Sequence, residues 1–312
     1  MKKIIFMGTP TFALPSLQAL IDADFVEVIA VVTQPDRKFG RQQKIVESPV
    51  KQLAKKYHLP VFQPERMRDS EEMQQLIALD SDLIVTAAYG QIVPESLLKA
   101  PQYGAINVHA SLLPKYRGAA PIHYAVMNGD EKTGVTIMYM EKEMDAGNMI
   151  AQREIPITEA DDTGTLFEKL SRLGQEVLLE VLSEIFAGTN ASVPQDESKV
   201  VFSPSIKKSQ EKISWDLTAT EIQHLIRALR PRPGAYALLD GDRFKFWESA
   251  VIPETTTATS GAIIKKTTKE LWVAAADGTV LSLLEVQPAG KRRMAVSAYL
   301  AGAQIEEGDR FE

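Results

Sequence analysis

The 312-residue chain contains no cysteine. Disulfides, thiol nucleophiles and thiolate-ligated metals are thereby excluded. Histidine is scarce: His58, His109, His123 and His224 are the whole complement. Their spacing forms no HExxH or comparable ligand pattern, so a dedicated metal site is not expected. No apolar run approaches the roughly 20 residues of a membrane-spanning helix. The opening Met1-Lys2-Lys3-Ile4-Ile5-Phe6-Met7-Gly8 has an apolar stretch too short for a secretory signal core. With no export signal, a cytoplasmic location without membrane association is the expectation, and no obligate protein partner is evident. Strong charge of one sign is missing too. The net charge of −6 does not advertise a nucleic-acid binder. The distribution is uneven, however: from Lys207 onward 15 basic residues face 14 acidic ones, and the rest of the chain carries −7. Phosphate binding needs only a local patch.

What is present is an ordinary globular balance, 45% hydrophobic and 24% charged, with length enough for two domains. β-rich runs at 3–7, 28–33, 82–87, 104–109 and 134–140 alternate with helical patterns near 11–22, 48–57, 69–79 and 121–128. This alternation predicts an α/β fold with a doubly wound, mostly parallel sheet, whose ligands bind beyond the carboxyl ends of its strands. A further strand is expected at 149–155. A long helix follows from Thr163 to Phe186, with Leu166, Leu170, Leu173, Val177 and Val181 as its apolar stripe. Thr165 and Glu168 have capping-box spacing, and Gly188 is the stop signal. The polar, weakly periodic stretch 188–206 reads as an interdomain linker. It divides a first domain, 1–187, from a second, 207–312. The second opens with a helix at 218–229, again with a capping-box pair, Thr218 and Glu221. Short β-like runs at 235–239, 243–248, 261–265, 271–276 and 280–286 then suggest a small barrel or sandwich, which periodicity does not separate.

Candidate chemistry concentrates at the end of the 104–109 strand. Residues two apart on a strand project from one face, so the Asn107 carboxamide and the His109 imidazole can aim at one atom. A loop punctuated by Pro114, Gly118 and Pro121 follows, suited to shaping a pocket. Gly8-Thr9-Pro10-Thr11 occupies the place of a dinucleotide-binding turn but lacks its glycines; a tight strand-to-helix connection is expected instead. Asp145, in Met144-Asp145-Ala146-Gly147-Asn148, taken alone has the composition of a turn.

Three segments taken together carry more information: Asn107 to Pro121, Thr133-Gly134-Val135-Thr136-Ile137-Met138, and Asp145-Ala146-Gly147-Asn148-Met149. They resemble the signature of the 10-formyltetrahydrofolate-dependent formyltransferase family, in particular its methionyl-tRNA branch. The resemblance starts at Phe6-Met7-Gly8-Thr9-Pro10 and reaches Gln287-Pro288-Ala289-Gly290. It implies a Rossmann-like catalytic domain, a linker and an OB-like β-barrel. It implies a formyl group passing from 10-formyltetrahydrofolate to the amino group of initiator methionyl-tRNA, with no metal. Asn107, His109 and Asp145 are the implied catalytic set. They suit the chemistry: an amide donor for the oxyanion, an imidazole to take the amine proton, and a carboxylate to orient it. The implied folate contacts are Ser111, Leu112, Leu113 and Pro114, with Tyr89, Gly90 and Ile92 from the segment 88–94. The implied tRNA contacts are Arg41 and Lys44 in the long basic insertion 33–44; the basic clusters Lys207-Lys208 and Lys291-Arg292-Arg293, read from their charge, are further candidate tRNA contacts that can grip phosphates. Arg230-Pro231-Arg232-Pro233-Gly234 adds a stiff positive turn. The rival readings are a formyltransferase for a sugar nucleotide or other small amine, a non-catalytic RNA- or folate-binding module, and a nicotinamide dehydrogenase.

Overall fold

The computed structural model describes residues 1–39 and 43–312. The chain forms two compact units, each discontinuous in sequence: Met1–Pro121, Thr133–Pro156 and Phe167–Ser203 make the first, and Ile122–Lys132, Ile157–Leu166 and Pro204–Glu312 the second. Among the described residues no helix is long and apolar enough to cross a membrane.

In chain order the strands of the first unit are β1 (Lys2–Gly8), β2 (Val26–Val32), β3 (Arg37–Phe39), β4 (Lys44–Val46), β5 (Val61–Phe62), β6 (Leu83–Ala87), β7 (Ala105–His109), β8 (Lys115–Arg117), β9 (Lys132–Tyr139), β10 (Met149–Pro156) and β11 (Val201–Phe202). Its helices are α1 (Leu14–Asp22), α2 (Pro49–Lys56), α3 (Glu71–Ala78) and α4 (Glu95–Leu98). Seven strands form one sheet in the order β10-β9-β7-β6-β1-β2-β5. From β7 to β5 the neighbours are parallel, whereas β9 runs antiparallel to β7. The sheet is therefore mixed, with the parallel part running from β7 to the β5 edge. β6 reads Leu-Ile-Val-Thr-Ala and is buried along its whole length, the near-continuous apolar run of a strand covered on both faces. The predicted Ser48-Pro49 start of α2 is realised: Ser48 Oγ accepts from the Lys51 amide at 3.0 Å, with Pro49 first in the helix, where a missing N–H costs nothing. The 33–44 insertion contains an antiparallel pair, β3 with β4. Its base is tied down by Asp36, which accepts from Lys51 Nζ at 2.6 Å and Gln63 Nε2 at 2.7 Å. The Lys51 contact holds the Asp36 carboxyl below the usual carboxylate range.

The helix predicted at 163–186 is α6, Thr163–Ala187; the shorter α5, Pro121–Met127, precedes it. The capping pair of α6 lies earlier than expected. Asp162 Oδ1 accepts from the Thr165 amide at 2.8 Å, and the Thr165 hydroxyl accepts from the Asp162 amide at 3.0 Å. The box expected at Thr165 and Glu168 is thus Asp162 and Thr165. A carboxylate one residue before the helix reaches the third amide, and a Thr hydroxyl closes the reciprocal bond. Gly188, at φ +68°, ends the helix as predicted, accepting the left-handed turn that a Cβ disfavours.

The second unit is an antiparallel sheet with two further helices. Its strands are β12 (Ala235–Leu239), β13 (Asp242–Ile252), β14 (Ile263–Lys266), β15 (Leu271–Ala274), β16 (Val280–Pro288) and β17 (Met294–Ala295). They run in the order β12-β13-β16-β15-β14, and β17 pairs with β16. The helices are α7 (Ala219–Ala228), opened by the predicted Thr218–Glu221 capping box, and α8 (Val296–Leu300). The core is aromatic. Phe244, Phe246 and Phe311 meet edge to face at centroid separations of 5.2–5.9 Å, and Trp215 tilts against Phe246 and Phe311.

Candidate active site

Register brings the predicted residues together. In the parallel pair β6 and β7, Thr86 lies beside Asn107. Across the antiparallel pair β7 and β9, Asn107 faces Met138 and His109 faces Thr136. Asn107 and His109 share a face, as the two-residue period requires. The Thr86 hydroxyl is 2.7 Å from Asn107 Oδ1. An amide oxygen only accepts, so Thr86 donates there, and the Asn107 Nδ2 hydrogens remain for another partner.

His109 is buried, and its Nε2 lies 2.9 Å from the Tyr116 carbonyl. That carbonyl only accepts, which places a hydrogen on Nε2 and leaves the Nδ1 lone pair of the neutral ring free. Nδ1 faces Asp145 Oδ2 at 3.8 Å. The same carboxylate oxygen accepts from the Gly118 amide at 2.8 Å. Backbone strain gathers here: Tyr116 (φ +66°) and Asp145 (φ +53°) are non-glycine residues in the left-handed region, a conformation that persists only where surroundings over-determine it. Thr136 braces the loop after β7. Its hydroxyl donates to the Ser111 carbonyl at 2.7 Å and accepts from the Leu113 amide at 3.1 Å and from Gln152 Nε2 at 2.9 Å.

The other candidates take varied positions. Ser111 is fully buried, with Oγ donating to the Lys115 carbonyl at 2.7 Å, and Leu113 is buried. Leu112 and Pro114 are half-buried. The Tyr89 ring is buried in the core with Met67, Met73 and Val93, and burial pushes its hydroxyl upward in pKa. The Tyr89 carbonyl accepts from Thr9 Oγ1 at 2.8 Å. Gly90 turns at φ +88°, and Ile92 is 78% exposed. The Gly8 turn is tight: a Cβ there would stand 2.7 Å from Ala13 Cβ and 3.0 Å from the Ala87 carbonyl. That agrees with a packed strand-to-helix connection. Among the described residues no three His, Cys, Asp or Glu side chains gather as metal ligands.

Arg41 lies outside the described residues. Lys44, Lys207, Lys208, Lys291 and Arg292 are exposed. Arg293 is partly committed, ion-paired with Glu285 and 5.0 Å from the Trp247 ring centre. The positive turn at 230–234 is weaker than its sequence suggests, because Arg230 binds the Asp162 carboxylate at 2.5 Å and the Trp247 carbonyl at 3.0 Å. Of the other histidines, His58 is exposed. Burial pushes His123 downward in pKa; burial and then Arg227 do the same to His224.

Thr86, Thr136 and Gln152 were not legible as parts of this site. Each acts through strand register, and no local pattern announces which residues two strands bring side by side.

The formyl transferase model matches residues 1–182, and the formyl transferase C-terminal domain model matches 205–304. The methionyl-tRNA formyltransferase of Lactiplantibacillus plantarum is 52% identical over 305 residues, covering 97% of this chain and 96% of that protein. That of Enterococcus faecalis is 50% identical over 314 residues, covering both chains completely. In fold, the chain is similar to an N-formyltransferase from Helicobacter canadensis solved with folinic acid and dTDP-3-aminofucose, with a TM-score of 0.70, 20% identity, and 92% and 100% of the two chains covered. With two consecutive domain models matched and about half of its residues shared with full-length relatives, the chain belongs to the formyl transferase family, among the methionyl-tRNA formyltransferases.

Proposed function

We propose that this protein transfers the formyl group of 10-formyltetrahydrofolate to the amino group of initiator methionyl-tRNA. The observation that carries the chemistry is the convergence of Asn107, His109 and Asp145 at the end of β7, with the His109 Nδ1 lone pair directed toward a carboxylate. In this reading the methionyl amine attacks the formyl carbon, and the carbonyl electrons move onto oxygen. Asn107 Nδ2 donates to that oxyanion. His109 Nδ1 takes the proton the amine sheds. Asp145 favours the positive charge that the ring then carries. Collapse of the oxyanion breaks the bond to the donor nitrogen, which receives a proton and leaves as tetrahydrofolate.

The loops after β6 and β7 suit a pterin. They lie beyond neighbouring strand ends, as expected of a ligand site in such a sheet. Ile92 and Leu112 supply apolar surface near Gly90, Tyr89 and the Ser111–Pro114 segment, whose backbone groups are suited to polar recognition. The second unit reads as an OB-like domain that grips tRNA phosphates through Lys207, Lys208, Lys291, Arg292 and Arg293, with Arg41 and Lys44 of the first unit beside the acceptor end. Residues 1–187 then supply catalysis, 188–206 connect, and 207–312 bind tRNA. The full-length identity to methionyl-tRNA formyltransferases supports tRNA as acceptor over the amino sugar of the fold neighbour.

The test offers the purified protein 10-formyltetrahydrofolate with three parallel acceptors: charged initiator tRNA, free methionine and a dTDP-amino sugar. Formylation of the charged tRNA alone is expected; turnover on the amino sugar instead overturns the tRNA assignment. Lys291→Ala and Arg292→Ala should each raise KM for tRNA several-fold and lower the salt slope by about one, while leaving KM for the folate unchanged.

A further inference from the structure

The turn that bears Asp145 is held by a residue distant in sequence. Gln195 is buried, and its Oε1 accepts from Arg117 Nε at 2.9 Å. A guanidinium only donates, so this contact fixes the orientation of the Gln195 amide. Nε2 must then face the other way, and it does: it donates to the Asp145 carbonyl at 2.8 Å and the Gly147 carbonyl at 2.9 Å. Every strong hydrogen-bonding position of the amide except one oxygen lone pair is used. Arg117 is itself buried and secured by Glu197 at 2.7 Å. The turn has no slack on its far side, because a Cβ on Gly147 would stand 1.9 Å from the Tyr139 carbonyl.

We infer that Gln195 is a positioning residue for the transfer reaction, acting through Asp145. By gripping the two carbonyls that bracket the turn, it keeps Asp145 at φ +53° with its carboxylate toward His109 Nδ1. Arg117 is the post against which Gln195 pulls, and it lies between Tyr116, whose carbonyl orients the imidazole, and Gly118, whose amide holds the carboxylate. One side-chain pair therefore sets both partners of the His–Asp contact. The inference rests on the catalytic reading of Asp145 given above.

The experiment measures kcat and both KM values for wild type, Asp145→Asn, Gln195→Met, Gln195→Glu and the double variant Asp145→Asn/Gln195→Met. Gln195→Met keeps the side-chain length and removes both donors. Gln195→Glu still satisfies Arg117, so the fold keeps its buried ion partner, but a carboxylate cannot donate to the two carbonyls. Each single Gln195 variant should lose about ten- to hundredfold in kcat, the scale of a misplaced catalytic group, with both KM values within about twofold. In the Asp145→Asn background Gln195→Met should add little, since the two act as a unit. Multiplying losses, a rise in KM without loss of kcat, or unchanged kcat in both Gln195 variants overturns the inference. Full activity of Asp145→Asn overturns instead the catalytic reading on which it stands.

Discussion

The two units bury polarity in different ways. In the first, buried Thr86, His109, Ser111, Arg117, Thr136, Gln195 and Ser203 form linked networks at the carboxyl ends of β6 and β7 and in the loops beside them. In the second, the large buried side chains are aromatic, and a buried polar group such as Asp162 serves a helix cap and an ion pair. Buried polar groups are costly unless every partner is met, so a fold concentrates them where geometry must be held against a reaction. A unit proposed to present charged side chains to RNA gains more from a stiff apolar interior.

The largest effect is expected at the proposed reacting face, with little change in stability. His109→Ala should lower kcat by about 10²–10⁴-fold, the usual worth of a general base, with the melting temperature changed by no more than a few degrees. Asn107→Ala should cost about 10²–10³, the worth of one oxyanion donor. Steady-state formylation assays paired with calorimetry separate the two quantities. A large loss of stability in either variant would break the comparison.

The opposite outcome is expected at the aromatic core. Phe246→Ala should cost about 3–5 kcal/mol of unfolding free energy, read from urea titration. At temperatures where the variant remains folded, its kcat should stay near the wild-type value. Phe311→Ala should behave likewise.

Thr86→Val gives a smaller and sharper test. It keeps the shape and removes the hydroxyl that orients Asn107. A drop in kcat of about tenfold is expected, the scale of one hydrogen bond of about 1.4 kcal/mol, with both KM values unchanged. A raised folate KM at constant kcat would assign Thr86 to binding instead.

The smallest effect concerns pH. His123 and His224, both in the second unit, have native proton affinities lowered by burial. The unfolded chain then binds more protons as pH falls, so the stability due to these neutral rings is complete above about 6.5 and is lost as pH drops through their lowered native values. Calorimetry between pH 7.5 and 5 should show the decline. In His123→Gln/His224→Gln it should be shallower.

Reading the sequence located most elements because their signals are local. The two-residue period put Asn107 and His109 on one face, the caps at Ser48 and Thr218 opened their helices, and Gly188 closed α6. Features set by distant pairing were not legible. The capping pair of α6, though local, lies three residues earlier than read, at Asp162 and Thr165, where two reciprocal bonds form. The pairing of β8 with β11 depends on partners that no local window contains. For the same reason the proposed catalytic trio was visible, through strand period and family resemblance, while Thr86, Thr136 and Gln152, which hold the surrounding site, were not.

The pairing of β11 with β8 has a practical consequence for grafting. The Ser203 amide donates to the Arg117 carbonyl at 2.7 Å, and its hydroxyl lies 3.1 Å from the Tyr116 carbonyl that also receives His109. A chimera that exchanges the C-terminal segment of the second unit, Pro204–Glu312, for that of a relative should therefore be spliced after Ser203. A junction placed at the end of α6 would import a foreign strand into the scaffold of the imidazole, and the hybrid's turnover would report the quality of that splice rather than the contribution of the grafted part.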